Sequence, residues 1–281
     1  MIPGPRGGSE PVYQQSTSYE CGPYALKHAL KMLGVFVDER RLGRLAGTTP
    51  AGTDEVQLAR AADRVGCDLP LLRAFDPARA RELLTAQLAR GIPSLLCVDQ
   101  WDHWIAVVGG DGERFAILDS AVPAVAVPID WEKLAARWAY RDVPGRAAAP
   151  AFYDLHPVLP RGKTPGRARI GADAASTLAR PERSTLVRDW SAFARPLLAL
   201  AAPAAPGNGE PTVVDLSRLL LECRDRLLDR AVGRTEVHRA AAARVLEEMR
   251  LVSHLYGLRV LREKSRPVLD GVAELLRDLT E

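Results

Sequence analysis

Between Ser94 and Val127 the apolar residues stop recurring at helical spacing and fall into four short runs, Ser94–Val98, Trp104–Val108, Phe115–Leu118 and Val122–Val127. Each run is β-branched or apolar and is bounded by Gly, Asp or Pro, the pattern of strands joined by turns. On either side the period is helical. Leu26, Leu30 and Leu33 mark a helix over Cys21–Leu33, with Pro23 in its first turn and Gly34 as its stop. A second is expected over Thr53–Val65, carrying Val56, Leu58, Ala59, Ala62 and Val65, with Asp54 and Glu55 at its positive end. A third covers Pro77–Arg90. A helix over Asp130–Trp138 and a last strand over Ala151–Leu155 complete an α+β half in which helices cover a sheet.

From Leu159 the sequence becomes rich in Pro, Gly, Arg and Lys, which predicts a linker over residues 159–183. Beyond it lie three apolar stripes at helical spacing: Val213, Leu216, Leu220, Cys223 and Leu227; Leu246, Met249, Val252, Tyr256 and Val260; and Val268, Val272, Leu275 and Leu279. Gly207-Asn208-Gly209 separates these from an earlier helix around Leu186–Leu200. Residues 184–281 therefore read as an all-α helical bundle, suited to binding a protein partner or a second copy of the chain.

Composition excludes several classes. With 38 basic and 35 acidic residues the net charge is +3, and arginines alternate with acids, so no nucleic-acid partner is expected. No apolar run approaches the ~20 residues of a membrane span; the longest, Pro196–Ala205, is short and broken by prolines. The first residues, MIPGPRGGSEPVYQQ, lack the apolar core of a secretion signal, which points to the cytoplasm. Cys21, Cys67, Cys97 and Cys223 form no CxxC pair, so neither a zinc site nor a disulfide framework is expected. No metal and no organic cofactor is called for.

Three features can combine into one chemistry. Cys21 stands at the mouth of a helix, where unpaired N–H groups and the macrodipole favour a thiolate, and Gly22 leaves room beside the sulfur for a substrate carbonyl. Gln15, six residues earlier, carries an amide donor that could face an oxyanion at Cys21, with Gln14 as the rival register. The stretch Asp102–Asp119 reads as a hairpin turning at Gly110-Asp111-Gly112. A turn centred on Asp111 sets His103 opposite Asp119 on one face, with Cβ atoms about 4.5–5.5 Å apart; a two-residue turn would set Ser120 there instead. A carboxylate so placed fixes the imidazole tautomer.

Other residues have plainer readings. His28 is a core residue two turns from Cys21, and His156, His238 and His254 lack partners at useful spacing. Cys67, Cys97 and Cys223 lie in apolar runs. Asp99, Asp102, Asp111 and Asp119 fit neither a calcium loop nor a two-metal site. Trp101 and Trp104 flank His103 and either line a substrate groove or pack the strand.

Within a first domain read as residues 1–158, roughly residues 10–158 resemble the C39 family of papain-like cysteine peptidases. The likeness is carried by Gln15, Glu20-Cys21-Gly22, Ala25-Leu26, Leu33-Gly34, Gly52-Thr53 through Ala61-Ala62 and Gly66, Ile92-Pro93, His103-Trp104 and Asp119. It implies a papain-like fold and a cysteine peptidase that cuts a peptide or protein substrate: Cys21 as nucleophile, His103 as base and acid, Asp119 as its orienter and Gln15 in the oxyanion hole. The family's Asp-Pro is Asp119-Ser120 here. Well-known members carry membrane-spanning and ATPase segments and cut leader peptides after Gly-Gly; these 281 residues hold no P-loop, so substrate identity does not carry over. A catalytically idle binding module, or an acyl transferase or deamidase using the same residues, are the alternatives.

Overall fold

Helix α1 (Cys21–Met32) starts at the expected cysteine and is buried along its whole length. Even Lys27 is enclosed, its Nζ 2.9 Å from Glu39 Oε2 on α2 (Glu39–Ala46). The sequence reading passed over α2, because its arginine-rich eight residues bury only Glu39, Leu42 and Ala46. Its signals were the ends: Asp38 caps the Arg41 N–H at 2.6 Å, and Gly47 closes it at φ +76°. Helix α3 (Glu55–Arg64) begins two residues later than expected, since Asp54 is its cap. Gln57 N–H donates to Asp54 Oδ1 at 2.7 Å and Asp54 N–H donates back to Gln57 Oε1 at 2.8 Å, a reciprocal capping box.

The computed structural model describes residues 15, 17–122, 125–141, 151–201, 213–232 and 236–280. Gln14 and Gly207-Asn208-Gly209 lie outside them. Two compact units result: residues 1–164 with 169–190, and residues 165–168 with 191–281.

In the first unit α3 is followed by β1 (Cys67–Asp68), β2 (Leu72–Ala74), α4 (Pro77–Ala89), β3 (Ser94–Val98), β4 (His103–Gly110), β5 (Arg114–Leu118), β6 (Ala126–Asp130), α5 (Trp131–Trp138), β7 (Tyr140–Arg141), β8 (Ala151–Pro157) and β9 (Leu159–Pro160). The main sheet runs β2-β8-β3-β4-β5-β6, with β7 also on β8, and its pairs are antiparallel. Strand alternation divides the side chains. Leu96, Val98, Ile105, Val107, Phe115, Ile117 and Leu155 join Leu84 and Leu88 of α4 and Trp131, Leu134 and Trp138 of α5 in one core. Residues of opposite parity, among them Cys97, Trp104 and His156, face the other way. The fourth expected strand is displaced: the chain turns at Val122, whose carbonyl accepts from Val125 N–H, and pairing with β5 begins at Ala126.

The stretch read as a linker carries structure of its own. β9 pairs with β1, and α6 (Ala172–Leu178) buries Ala172, Ala175 and Leu178. α7 (Ser184–Arg188) follows. The second unit contains α8 (Trp190–Leu200, shared at its first residue), α9 (Leu216–Glu222), α10 (Arg224–Val232), α11 (Glu236–Leu255) and α12 (Ser265–Asp278). It is not purely helical, since β10 (Val213–Asp215) pairs antiparallel with β11 (Arg259–Leu261). No helix among the described residues is long and apolar enough to cross a membrane.

Candidate active site

The turn joining β3 to β4 decides where His103 stands. Val98 pairs with His103, and the intervening Asp99, Gln100 and Trp101 all adopt left-handed backbone, φ 57°, 61° and 67°. Left-handed geometry costs about 1–2 kcal/mol per non-glycine residue, so the surroundings must hold it. Asp99 N–H donates to the Arg137 carbonyl at 2.7 Å, Gln100 Nε2 donates to the Ala139 carbonyl at 2.9 Å, and Trp101 stacks on Tyr140 with centroids 4.1 Å apart.

The β4–β5 register differs from the expected one. Gly110 pairs with Phe115 and Gly109 with Ala116, but Val107 pairs with Ile117 and Ala106 with Leu118, the shift falling at Val108. The turn alone would send His103 and Asp119 to opposite faces; the extra residue restores their common face. His103 thus stands diagonally, not directly, across from Asp119, within reach of side chains of this length. A further constraint sits at the same bulge: a Cβ on Gly109 would lie 2.1 Å from the Ile170 carbonyl oxygen, so only glycine fits.

His103 Nε2 lies 2.7 Å from Asp119 Oδ1. The Cys21 side chain acts on the same ring and favours its charged form; with Nε2 against Asp119, Nδ1 is the nitrogen left to face it. Burial works against charge on the imidazole, yet the hydrogen bonds to Asp119 and Cys21 prevail and raise its pKa to about 9. Asp119 is 2% exposed. Burial pushes its carboxyl up, but His103, the Ala121 N–H at 3.0 Å and Arg137 hold it below the usual range. Arg137 spans two carboxylates, 2.7 Å from Asp99 Oδ2 and 3.3 Å from Asp119 Oδ2. No sequence signal could place Arg137 here, because only the packing of α5 on the sheet brings it to Asp119.

Cys21 is 5% exposed at the first residue of α1. Gln15 is fixed by the loop after Asp119: its N–H donates to the Ser120 carbonyl at 3.0 Å, its Oε1 accepts from the Ser120 hydroxyl at 2.7 Å, and its Nε2 donates to the Thr17 carbonyl at 2.8 Å. An amide nitrogen carries two protons, and one serves Thr17. Gly22 stands apart from the cavity lining; a Cβ there would lie 3.0 Å from Thr53 Cβ and 3.3 Å from Leu58 Cδ2, so its bareness lets α1 pack on the start of α3.

Beside Cys21 opens a cavity of about 420 Å³ whose walls include Thr53, Cys97, Trp101, Trp104 and His156. The Trp104 indole donates to the Thr53 carbonyl at 2.9 Å, and Trp101 remains 45% exposed. Burial pushes the Cys97 thiol far up and the Cys67 thiol to about 11, so both are held as neutral thiols. No group of three or more ligating side chains suited to a metal occurs among the described residues.

Residues 9–139 match the model of the Peptidase C39 family. Among curated proteins, an uncharacterised protein of Methanothermobacter marburgensis is 29% identical over 123 residues, covering 44% of this chain and 80% of the relative. Another from Methanothermobacter thermautotrophicus is 46% identical over 59 residues, 21% of this chain and 42% of that protein. Solved structures similar to the chain include the peptidase domain of Streptococcus ComA, a bifunctional ABC transporter of a quorum-sensing pathway, at 18% identity and TM-score 0.39, over 53% of this chain and 99% of that one. A double-glycine motif protease from an AMS/PCAT transporter, in complex with its leader peptide, gives 19% and 0.39, over 54% and 95%.

Proposed function

We propose that the N-terminal half of this chain, whose residues 9–139 match the Peptidase C39 family, hydrolyses peptide bonds through Cys21, His103, Asp119 and Gln15. One observation carries the reading: the imidazole whose Nε2 lies 2.7 Å from the Asp119 carboxylate is the same ring on which the Cys21 side chain acts, both favouring its charged form.

In this reading Cys21 attacks the scissile carbonyl as a thiolate, with the proton held on His103. The carbonyl oxygen becomes an oxyanion and takes hydrogen bonds from the Cys21 backbone N–H and the second amide proton of Gln15. His103 then gives its proton to the departing amine, leaving an acyl-enzyme. Water attacks that thioester; His103 removes the water proton and returns it to sulfur as the carboxylate product leaves. Asp119 keeps Nε2 occupied throughout, so Nδ1 alone exchanges protons, and Arg137 keeps Asp119 ionised. This chemistry needs no metal and no cofactor.

The test is cleavage of a denatured-protein peptide mixture, read by mass spectrometry of new termini. New termini should appear with the wild-type chain and vanish with Cys21→Ala and with His103→Ala. Identical termini from all three proteins would refute peptidase activity, and acyl exchange or deamidation products in their place would assign the same residues to a transferase or deamidase.

A further inference from the structure

The cavity beside Cys21 is acidic. Asp54, Glu55, Asp102 and Asp154 line it, and no lysine or arginine among the described residues does. Two of these carboxylates are occupied: Asp54 caps α3, and Asp154 takes a two-pronged bond from Arg73, at 2.6 and 2.7 Å. Glu55 and Asp102 have no ion-pair or hydrogen-bond partner among the described residues, and both are exposed at the cavity. At the inner wall lies His156, 3% exposed, on the sheet face shared with Trp104 and Cys97. Its ring has no hydrogen-bond partner among the described residues, and burial lowers its pKa, so it stays neutral and keeps an acceptor nitrogen. A buried polar group is usually bonded; here the cavity is the side from which a partner can come.

We propose that this cavity is a recognition subsite for a cationic side chain, lysine or arginine, on the acyl side of the scissile bond. Glu55 and Asp102 face the charge and the His156 ring accepts a hydrogen bond from it. The volume falls within the range of about 300–1,000 Å³ typical of ligand sites. Placement on the acyl side follows from the two faces of the sheet. The imidazole that protonates the leaving amine shares a face with Val98 and Ile105, whereas the cavity borders Cys21 from the face of Trp104 and His156. Acidic side chains are disfavoured by the same carboxylates, which outnumber Arg73, the arginine bonded to Asp154 and felt by Glu55.

The proposal rests on the peptidase reading, so its test separates the two. Short peptidyl chloromethyl ketones carrying Arg, Lys, norleucine, Glu or Gly at either of the two positions before the electrophile alkylate Cys21, and the rate is read by mass spectrometry. At one position Arg and Lys should exceed norleucine by about tenfold, as for a hydrogen bond to a charged group, with Glu slowest. Glu55→Gln combined with Asp102→Asn should bring the Arg-to-norleucine ratio close to one. In parallel, Cys21→Ala protein, which has no thiol chemistry, is titrated with acetyl-arginine amide and acetyl-norleucine amide while the His156 ring proton resonances are followed. Only the arginine compound should shift them. Equal rates for Arg and norleucine, a preference kept by the double variant, or His156 resonances indifferent to arginine would each overturn the subsite. Rapid His103-dependent alkylation by iodoacetamide would still leave the peptidase reading standing.

Discussion

The Ser120 hydroxyl donates to Gln15 Oε1 at 2.7 Å, joining the residue after Asp119 to a side chain 105 positions earlier. The Thr17 carbonyl, which can only accept, fixes which end of the amide is nitrogen, and the Ser120 hydroxyl completes the arrangement by donating to Oε1. Gln15→Ala should lower kcat by about 10²–10³. Ser120→Ala removes one of the two side-chain bonds that hold this amide and leaves it loose about the Thr17 bond, and should lower kcat by about tenfold with KM little changed, since only transition-state contact is weakened. Steady-state kinetics on one substrate compares the two; a Ser120→Ala enzyme at wild-type kcat would remove the role given to this bond.

The raised His103 pKa sets the alkaline limit. Acylation requires the protonated ring, so kcat/KM should fall as pH rises through about 9. In Asp119→Asn the carboxylate that raises the pKa is gone, and the fall should move toward the ordinary histidine value of about 6.5. Stability follows the same sign: a pKa raised on folding contributes fully below about 6.5 and is lost as pH climbs through about 9. Melting temperature over that window should therefore decline more in wild type than in Asp119→Asn.

Under the proposed function Arg137 acts through Asp119, 3.3 Å away, as a positioning residue. Arg137→Met removes its side-chain bonds to Asp99 and Asp119, leaving a buried carboxylate with fewer donors and taking one of several holds from the left-handed turn before His103. Turnover should fall, and the acid limb should move up because Asp119 binds its proton more readily; Arg137→Lys should recover part of both. A loss of melting temperature with an unmoved pH profile would mean that Arg137 only braces the fold.

Lys27 and Glu39 form an enclosed ion pair, with the Lys27 side chain 0% exposed. Lys27→Met leaves Glu39 charged without that partner, and removal of one member of a buried pair costs about 3–5 kcal/mol. Denaturant unfolding measures it. A cost below about 1 kcal/mol, the range of exposed pairs, would contradict the burial.

Much of the first unit was legible because α1, α4 and β3 carry strong periodicity and clear end signals. Cys21, His103 and Asp119 stood out by residue type and spacing, and the structure sets His103 Nε2 2.7 Å from Asp119 Oδ1. What was not legible depends on tertiary packing. The β4–β5 register was misjudged by two residues because the Val108 bulge compensates an irregular turn, and even numbers of slips preserve the face. Ser120 and Arg137 carry no local pattern; only the loop after β5 and the packing of α5 bring them to the site. Residues 159–183 read as a linker by composition, although Ile170, Ala175 and Leu178 are buried.

The account stands most directly on the alkylation rates of the four cysteines by iodoacetamide near neutral pH, with and without His103. Cys21 should react far faster than Cys67 and Cys97, whose burial holds them as thiols, and His103→Ala should reduce the Cys21 rate alone by about tenfold or more, the low end of what a positioned acid–base partner supplies. Equal slow labelling of every cysteine, or a Cys21 rate untouched by loss of His103, would contradict an imidazole-activated nucleophile.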